Sequence, residues 1–240
     1  MPQDSPLATP APHLAGIRKA ELAGMIDHTL LLPDATIEEV EALAEAGAAL
    51  GVASVCVTSA MVPFVPAIVP VCTVIGFPTG AHSWQVKAFE TALAVDEGAD
   101  EIDMVVNLGA VAERNWTLVA REIKEVRKAC PGKVLKVIVE SALWEADDRL
   151  EKVCQIAVEQ GADFLKTSTG MHAAGGASLD AVSRLARVAA AADRVVGVKA
   201  SGGIRDTATA LAMIQAGATR IGASATAAIV EGAATTTDAY

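Results

Sequence analysis

Aromatic side chains make up only 3% of this 240-residue chain, and its single tyrosine, Tyr240, is the last residue. No basic stripe accompanies Trp84 or Trp116, so both read as packing or helix-start residues rather than stacking platforms for nucleotides. The net charge of −10 also lacks the cationic excess that phosphate backbones require, which excludes nucleic acid as the main partner. No apolar run reaches the roughly 20 residues of a bilayer span. The richest stretch, 61–77, is cut by Pro63, Pro66, Pro70 and Gly76, and no membrane partner is expected. His13, His28, His82 and His172 show no H-x-x-x-H spacing and no carboxylate pairing, so neither a metal nor a cofactor is expected. His28 is expected to serve the hydrogen bonding of the first strand. The four cysteines form no C-x-x-C pair, and the first residues carry no basic or apolar leader pattern. Reduced thiols and a cytoplasmic location follow as expectations.

What the chain has in excess is apolar residues, at 52%, which suits parallel strands buried on both faces. A unit recurs: an amphipathic helix, a Gly-Ala step, then an apolar strand. It appears at Gly98-Ala99, Gly161-Ala162, Gly217-Ala218 and Gly47-Ala48. A glycine just past a helix adopts the left-handed conformation that ends it at little cost. Strands are predicted near 25–30, 52–57, 69–76, 101–107, 133–140, 164–168, 195–200 and 220–224, with a further helix at about 14–24. Eight such units with right-handed crossovers close into a (β/α)8 TIM barrel, here with an extra N-terminal helix. An open doubly wound sheet would want a glycine-rich turn after its first strand, and Leu30-Leu31-Leu32-Pro33 offers none. The predicted organisation is a disordered tail over 1–13, one barrel domain over 14–232 and a flexible tail over 233–240.

Four charges interrupt these strands: Asp103, Lys136, Lys166 and Lys199, spaced 33, 30 and 33 residues apart. Burying an ionised group without a partner is costly, so charges at one phase of consecutive strands point to a converging site. Barrel strands alternate inward and outward. If Lys166 points inward, so do Phe164 and Ser168. Asp103 carries Val105 and Asn107, Lys136 carries Val134, Ile138 and Glu140, and Lys199 carries Gly197 and Ser201. Nearby cations and an apolar pocket favour the neutral, nucleophilic form of a lysine. Lys166, after Phe164-Leu165 and flanked by Lys136 and Lys199, is the amine expected to be so poised. Attack on a carbonyl would give a Schiff base, an electron sink for carbon–carbon cleavage. Asp103 could relay a proton and keep Lys199 charged.

The loops after strands 6, 7 and 8 read Thr167-Ser168-Thr169-Gly170, Ser201-Gly202-Gly203-Ile204-Arg205 and Gly222-Ala223-Ser224-Ala225-Thr226. Small residues there let backbone N–H groups approach an anion. Phosphate sites of such barrels lie after strands 7 and 8.

Phe164-Leu165-Lys166-Thr167-Ser168-Thr169-Gly170 and Val198-Lys199-Ala200-Ser201-Gly202-Gly203-Ile204-Arg205 closely resemble the deoxyribose-phosphate aldolase family. So do Ile26-Asp27-His28-Thr29-Leu30, Val74-Ile75-Gly76-Phe77-Pro78, Glu101–Asn107 and Leu135–Glu140, in family order across residues 26 to 224. The resemblance implies a class I, metal-free aldolase that reversibly cleaves 2-deoxy-D-ribose 5-phosphate to D-glyceraldehyde 3-phosphate and acetaldehyde. It gives Lys166 the Schiff base, Asp103 and Lys199 the proton relay, and Lys136 a supporting charge. Asp27, Thr29, Cys56 and Thr169 would meet substrate, and Gly170, Gly202, Gly203 and Ser224 would hold its phosphate. Some members end in a tyrosine that swings into the site, a role Tyr240 would take. With the apolar composition, the resemblance also favours a homodimer.

The chain departs from the family at Ser224-Ala225-Thr226, where two serines followed by glycine are usual. It departs again at Met171, and at Thr58-Ser59-Ala60-Met61 after Cys56. These bear on substrate preference more than on the lysines. Two other readings remain open: a transaldolase-like phosphosugar barrel, and a barrel that binds a phosphorylated metabolite without turning it over.

Overall fold

The computed structural model describes residues 17–232. Eight strands, β1 (Ile26–Thr29), β2 (Ser54–Thr58), β3 (Val71–Ile75), β4 (Glu101–Val105), β5 (Val134–Ile138), β6 (Phe164–Lys166), β7 (Gly197–Ser201) and β8 (Arg220–Ala223), follow the predicted order. Each pairs in parallel with the next, and β8 returns to β1, closing the barrel. Helices α1 (Lys19–Ala23), α2 (Ile37–Leu50), α3 (Trp84–Asp96), α4 (Leu108–Ala112) and α5 (Trp116–Ala129) precede β5. Helices α6 (Arg149–Glu159), α7 (Leu179–Ala190), α8 (Thr207–Gln215) and α9 (Thr226–Glu231) complete the outer layer. The expected first helix appears as the single short turn of α1. The expected tails, with Tyr240, lie outside the described residues.

The outward residues of the strands pack with the helices into one apolar layer, for example Ile102, Met104, Leu135, Val137 and Leu165. The inward residues are of another kind: Asp27, Glu101, Asp103, Lys136, Lys166 and Lys199 are all buried. Trp84 and Trp116 open α3 and α5, as helix-start residues should.

Gly98, Gly161 and Gly217 take the positive φ expected past their helices. Gly47 does not. Helix α2 runs through it to Leu50, and Gly51 supplies the left-handed cap at φ 71°. Gly47 instead admits close packing, because a β-carbon there would lie 2.9 Å from Val55 Cγ1. The alternation also fails at Asn107. It lies beyond β4 and caps α4, where its side-chain oxygen accepts from the Ala110 N–H at 3.0 Å.

Candidate active site

Asp103 stands at the centre of the lumen, fully buried on β4. Its Oδ2 accepts from Lys166 Nζ and from Lys199 Nζ, each at 2.7 Å, and its Oδ1 from Lys136 Nζ at 2.8 Å. Strand register makes this meeting possible: Asp103 pairs with Lys136 across β4–β5, and Lys166 with Lys199 across β6–β7. The four charges singled out by spacing are therefore one cluster.

The cluster is larger than its spacing announced. Asp27 accepts from Lys199, from Arg220 at 2.5 Å and from Ser54 Oγ at 2.9 Å. Glu101 lies 2.5 Å from Lys136 Nζ and 3.2 Å from Arg220. Cys72 Sγ donates to Asp103 Oδ1 at 3.3 Å. Arg220 also lies over the Phe164 ring, 5.4 Å from its centroid.

Three carboxylates thus face four cationic side chains in a water-poor interior. Burial alone would raise the Asp103 carboxyl, but Lys136, Lys166 and Lys199 outweigh it and hold it well below the carboxylate range. Burial opposes charge on Lys199 too, yet Asp103 and Asp27 reverse the balance and keep it protonated far into alkali. Lys136 behaves likewise, held charged by Asp103 above all. With all seven groups ionised the cluster carries one net positive charge. Among the described residues Lys166 has a single carboxylate partner, whereas Lys136 touches Asp27, Glu101 and Asp103.

Lys166 alone of the three lysines borders an open cavity of about 340 Å³. Thr29, Thr169, Gly170, Gly202, Gly203 and Ser224 line it with Lys166, as does Arg205. The loops after β6 and β7 meet there backbone to backbone. Ala177 N–H donates to Gly202 O at 3.1 Å, and a β-carbon at Gly202 would lie 2.9 Å from Gly176 Cα. Among the described residues, no lysine lines a larger hollow of about 650 Å³ between α6 and α7. Its Arg184 and Arg194 are already engaged by Glu151 and by Ala162 O.

A family model described as "DeoC/LacD family aldolase" matches residues 22–238. This chain belongs to that family. It is 51% identical over 218 residues to a deoxyribose-phosphate aldolase of Kocuria rhizophila, covering 90% of this chain and 98% of that protein. It is also 51% identical over 220 residues to a deoxyribose-phosphate aldolase of Mycolicibacterium paratuberculosis, covering 89% and 97%. Among solved structures, a putative deoxyribose-phosphate aldolase from Coccidioides immitis superposes with a TM-score of 0.86 at 36% identity, covering 94% and 91%. The tetrameric deoxyribose phosphate aldolase from Aeropyrum pernix gives 0.81 at 35%, covering 89% and 91%.

Against this family's aldolase chemistry, two expected substrate contacts sit deeper than expected. Asp27 belongs to the charged cluster rather than the cavity wall. Cys56 packs with Cys72 and Val74 beneath Leu31 and Phe77. Arg220 and Glu101 were missed because each opens its strand, where a charge reads as a solvated end. Their phase was the available signal, since both share the inward parity of their neighbours Lys199 and Lys136. His28 joins β1 to the segment after β8, with Nδ1 2.9 Å from Thr226 Oγ1.

Proposed function

We propose that this aldolase cleaves 2-deoxy-D-ribose 5-phosphate to D-glyceraldehyde 3-phosphate and acetaldehyde, reversibly, through a Schiff base on Lys166. The observation that carries the reading is the shared oxygen: Asp103 Oδ2 binds both the cavity-facing Lys166 and the buried Lys199. The neutral Lys166 amine adds to the C1 aldehyde of the open-chain sugar, and loss of water leaves an iminium. Asp103, relayed with Lys199, takes the C3 hydroxyl proton as the C2–C3 bond breaks. Glyceraldehyde 3-phosphate departs, and the bond's electrons form an enamine. Protonation of the enamine carbon and hydrolysis release acetaldehyde and restore the amine. Lys136 keeps Asp103 ionised, and so ready as the base, until that proton arrives.

The backbone around Gly170, Gly202 and Gly203, with Ser224 and Arg205 beside it, suits the 5-phosphate. Thr29 and Thr169 suit the sugar hydroxyls. Incubation with 2-deoxyribose 5-phosphate alone tests the reaction. Release of acetaldehyde and glyceraldehyde 3-phosphate is expected. A transaldolase-like enzyme would need an acceptor and release no acetaldehyde.

A homodimer is proposed as the working form. Val86, Phe89 and Leu93 follow helical spacing along α3 and stand exposed, Phe89 at 72%. A monomer mass in static light scattering would contradict this. The cytoplasm is the proposed compartment, since the four cysteines are unpaired and a reducing milieu keeps them so. Detection of the protein outside the cytoplasm in cell fractionation would contradict that assignment.

A further inference from the structure

Glu140 is fully buried, follows β5, and has the left-handed backbone of φ 51° and ψ 59°. That conformation is unfavourable for any residue with a β-carbon, and it persists only where surrounding contacts impose it. Glycine would adopt it freely, so a carboxylate here implies a use for the carboxylate. Its partner is Thr169. The Thr169 hydroxyl donates to Glu140 Oε2 at 2.7 Å, and the Thr169 N–H reaches both carboxylate oxygens at 3.3 Å. None of the reaction steps above employs Glu140.

The consequence lies in what remains free on Thr169. The Thr169 hydroxyl has one hydrogen, and its bond to Oε2 commits that hydrogen to Glu140. The hydroxyl oxygen accepts from the Met171 N–H at 3.1 Å and retains one acceptor site. Thr169 stands three residues past Lys166, on the wall that the main cavity shares with an adjoining hollow of about 270 Å³. The same turn is held from the segment after β5 by Val139 N–H on Lys166 O at 3.0 Å and Ser141 N–H on Thr167 O at 2.8 Å.

We infer that Glu140 is a positioning residue that fixes the turn after Lys166 and makes Thr169 a pure acceptor for a substrate hydroxyl. The inference deepens the aldolase reading and rests on it for the identity of that hydroxyl. The hydrogen-bond link itself does not depend on the reaction. An oriented acceptor selects a hydroxyaldehyde over an aldehyde of the same length without the hydroxyl, because only the former fills the acceptor site.

The test compares Glu140→Gln, Glu140→Leu and Glu140→Gly with the parent protein. Gln keeps an acceptor oxygen for Thr169, Leu removes it, and Gly removes it while relieving the backbone. The Leu and Gly variants are expected to lose roughly 10- to 100-fold in kcat/KM for 2-deoxyribose 5-phosphate, while Gln stays within about threefold. Thr169→Val should cause a similar loss, and Glu140→Leu combined with it should be no worse than either alone. Amide hydrogen exchange needs no substrate, so it separates this inference from the reaction. Exchange at Thr169 and Met171 should quicken in the Leu and Gly variants and stay slow in Gln. Unchanged exchange in Glu140→Gly would overturn the link whatever the reaction proves to be. A Gln variant as impaired as Leu would show that charge at Glu140 matters, and would overturn the positioning role.

Discussion

Asp103 accepts from three lysines, and removing each should cost something different. Lys199→Leu takes away the proposed relay partner and leaves Asp27 with Arg220 and Lys136. Turnover should fall about 100-fold or more, the scale of a lost acid–base partner, with the fold retained. Lys136→Met removes the cation that touches all three carboxylates, deep in the lumen. Breaking a buried pair from one side costs about 3–5 kcal/mol, so this variant should lose stability in urea titration before its chemistry is measured. Full activity in Lys199→Leu would remove that residue from the relay. A Lys136→Met variant as stable as the parent would mean that water already screens the cluster.

Elements carry the cluster by close fits between neighbouring strands. Gly197 opens β7 opposite Phe164 of β6, and a β-carbon there would lie 2.3 Å from the Phe164 ring. Phe164 in turn supports Arg220, which bonds Asp27 and Glu101. Gly197→Ala should therefore cost about 1–3 kcal/mol by overpacking, seen as a lower thermal midpoint. An unchanged midpoint would show that the ring moves freely. The strands were legible in the sequence because β-branched runs follow Gly-Ala steps at regular intervals. The end of α2 was not, since Gly47 and Gly51 look alike until Val55 is seen packing on one of them. Lysines inside apolar runs announced the site, whereas Arg220 and Glu101, at strand starts, did not. Lys87 was hidden differently. It lies on the apolar face of α3 and pairs with Glu122 of α5 at 2.6 Å outside the lumen, a partner that only tertiary packing supplies.

The whole molecule closes around a buried cluster of carboxylates and lysines, and its stability should follow that charge. Asp27 and Asp103 have folded pKa values below the ordinary 3.8. Below pH 3.8 the unfolded chain takes up protons that the folded chain refuses, so stability falls as pH drops. Lys136 and Lys199 are raised above 10.5. Above pH 10.5 the unfolded chain releases protons that the folded chain keeps, so stability falls again. The thermal midpoint should hold across neutral pH and decline beyond both limits. A midpoint unchanged from pH 9 to 12 would contradict a charged lysine cluster. On the proposed mechanism one amine among the buried lysines performs the chemistry. Borohydride reduction in the presence of 2-deoxyribose 5-phosphate, followed by peptide mapping, measures it most directly. One modified residue, Lys166, is expected, with no trapping in Lys166→Ala; modification of another lysine, or an unchanged mass, would overturn the Schiff-base assignment.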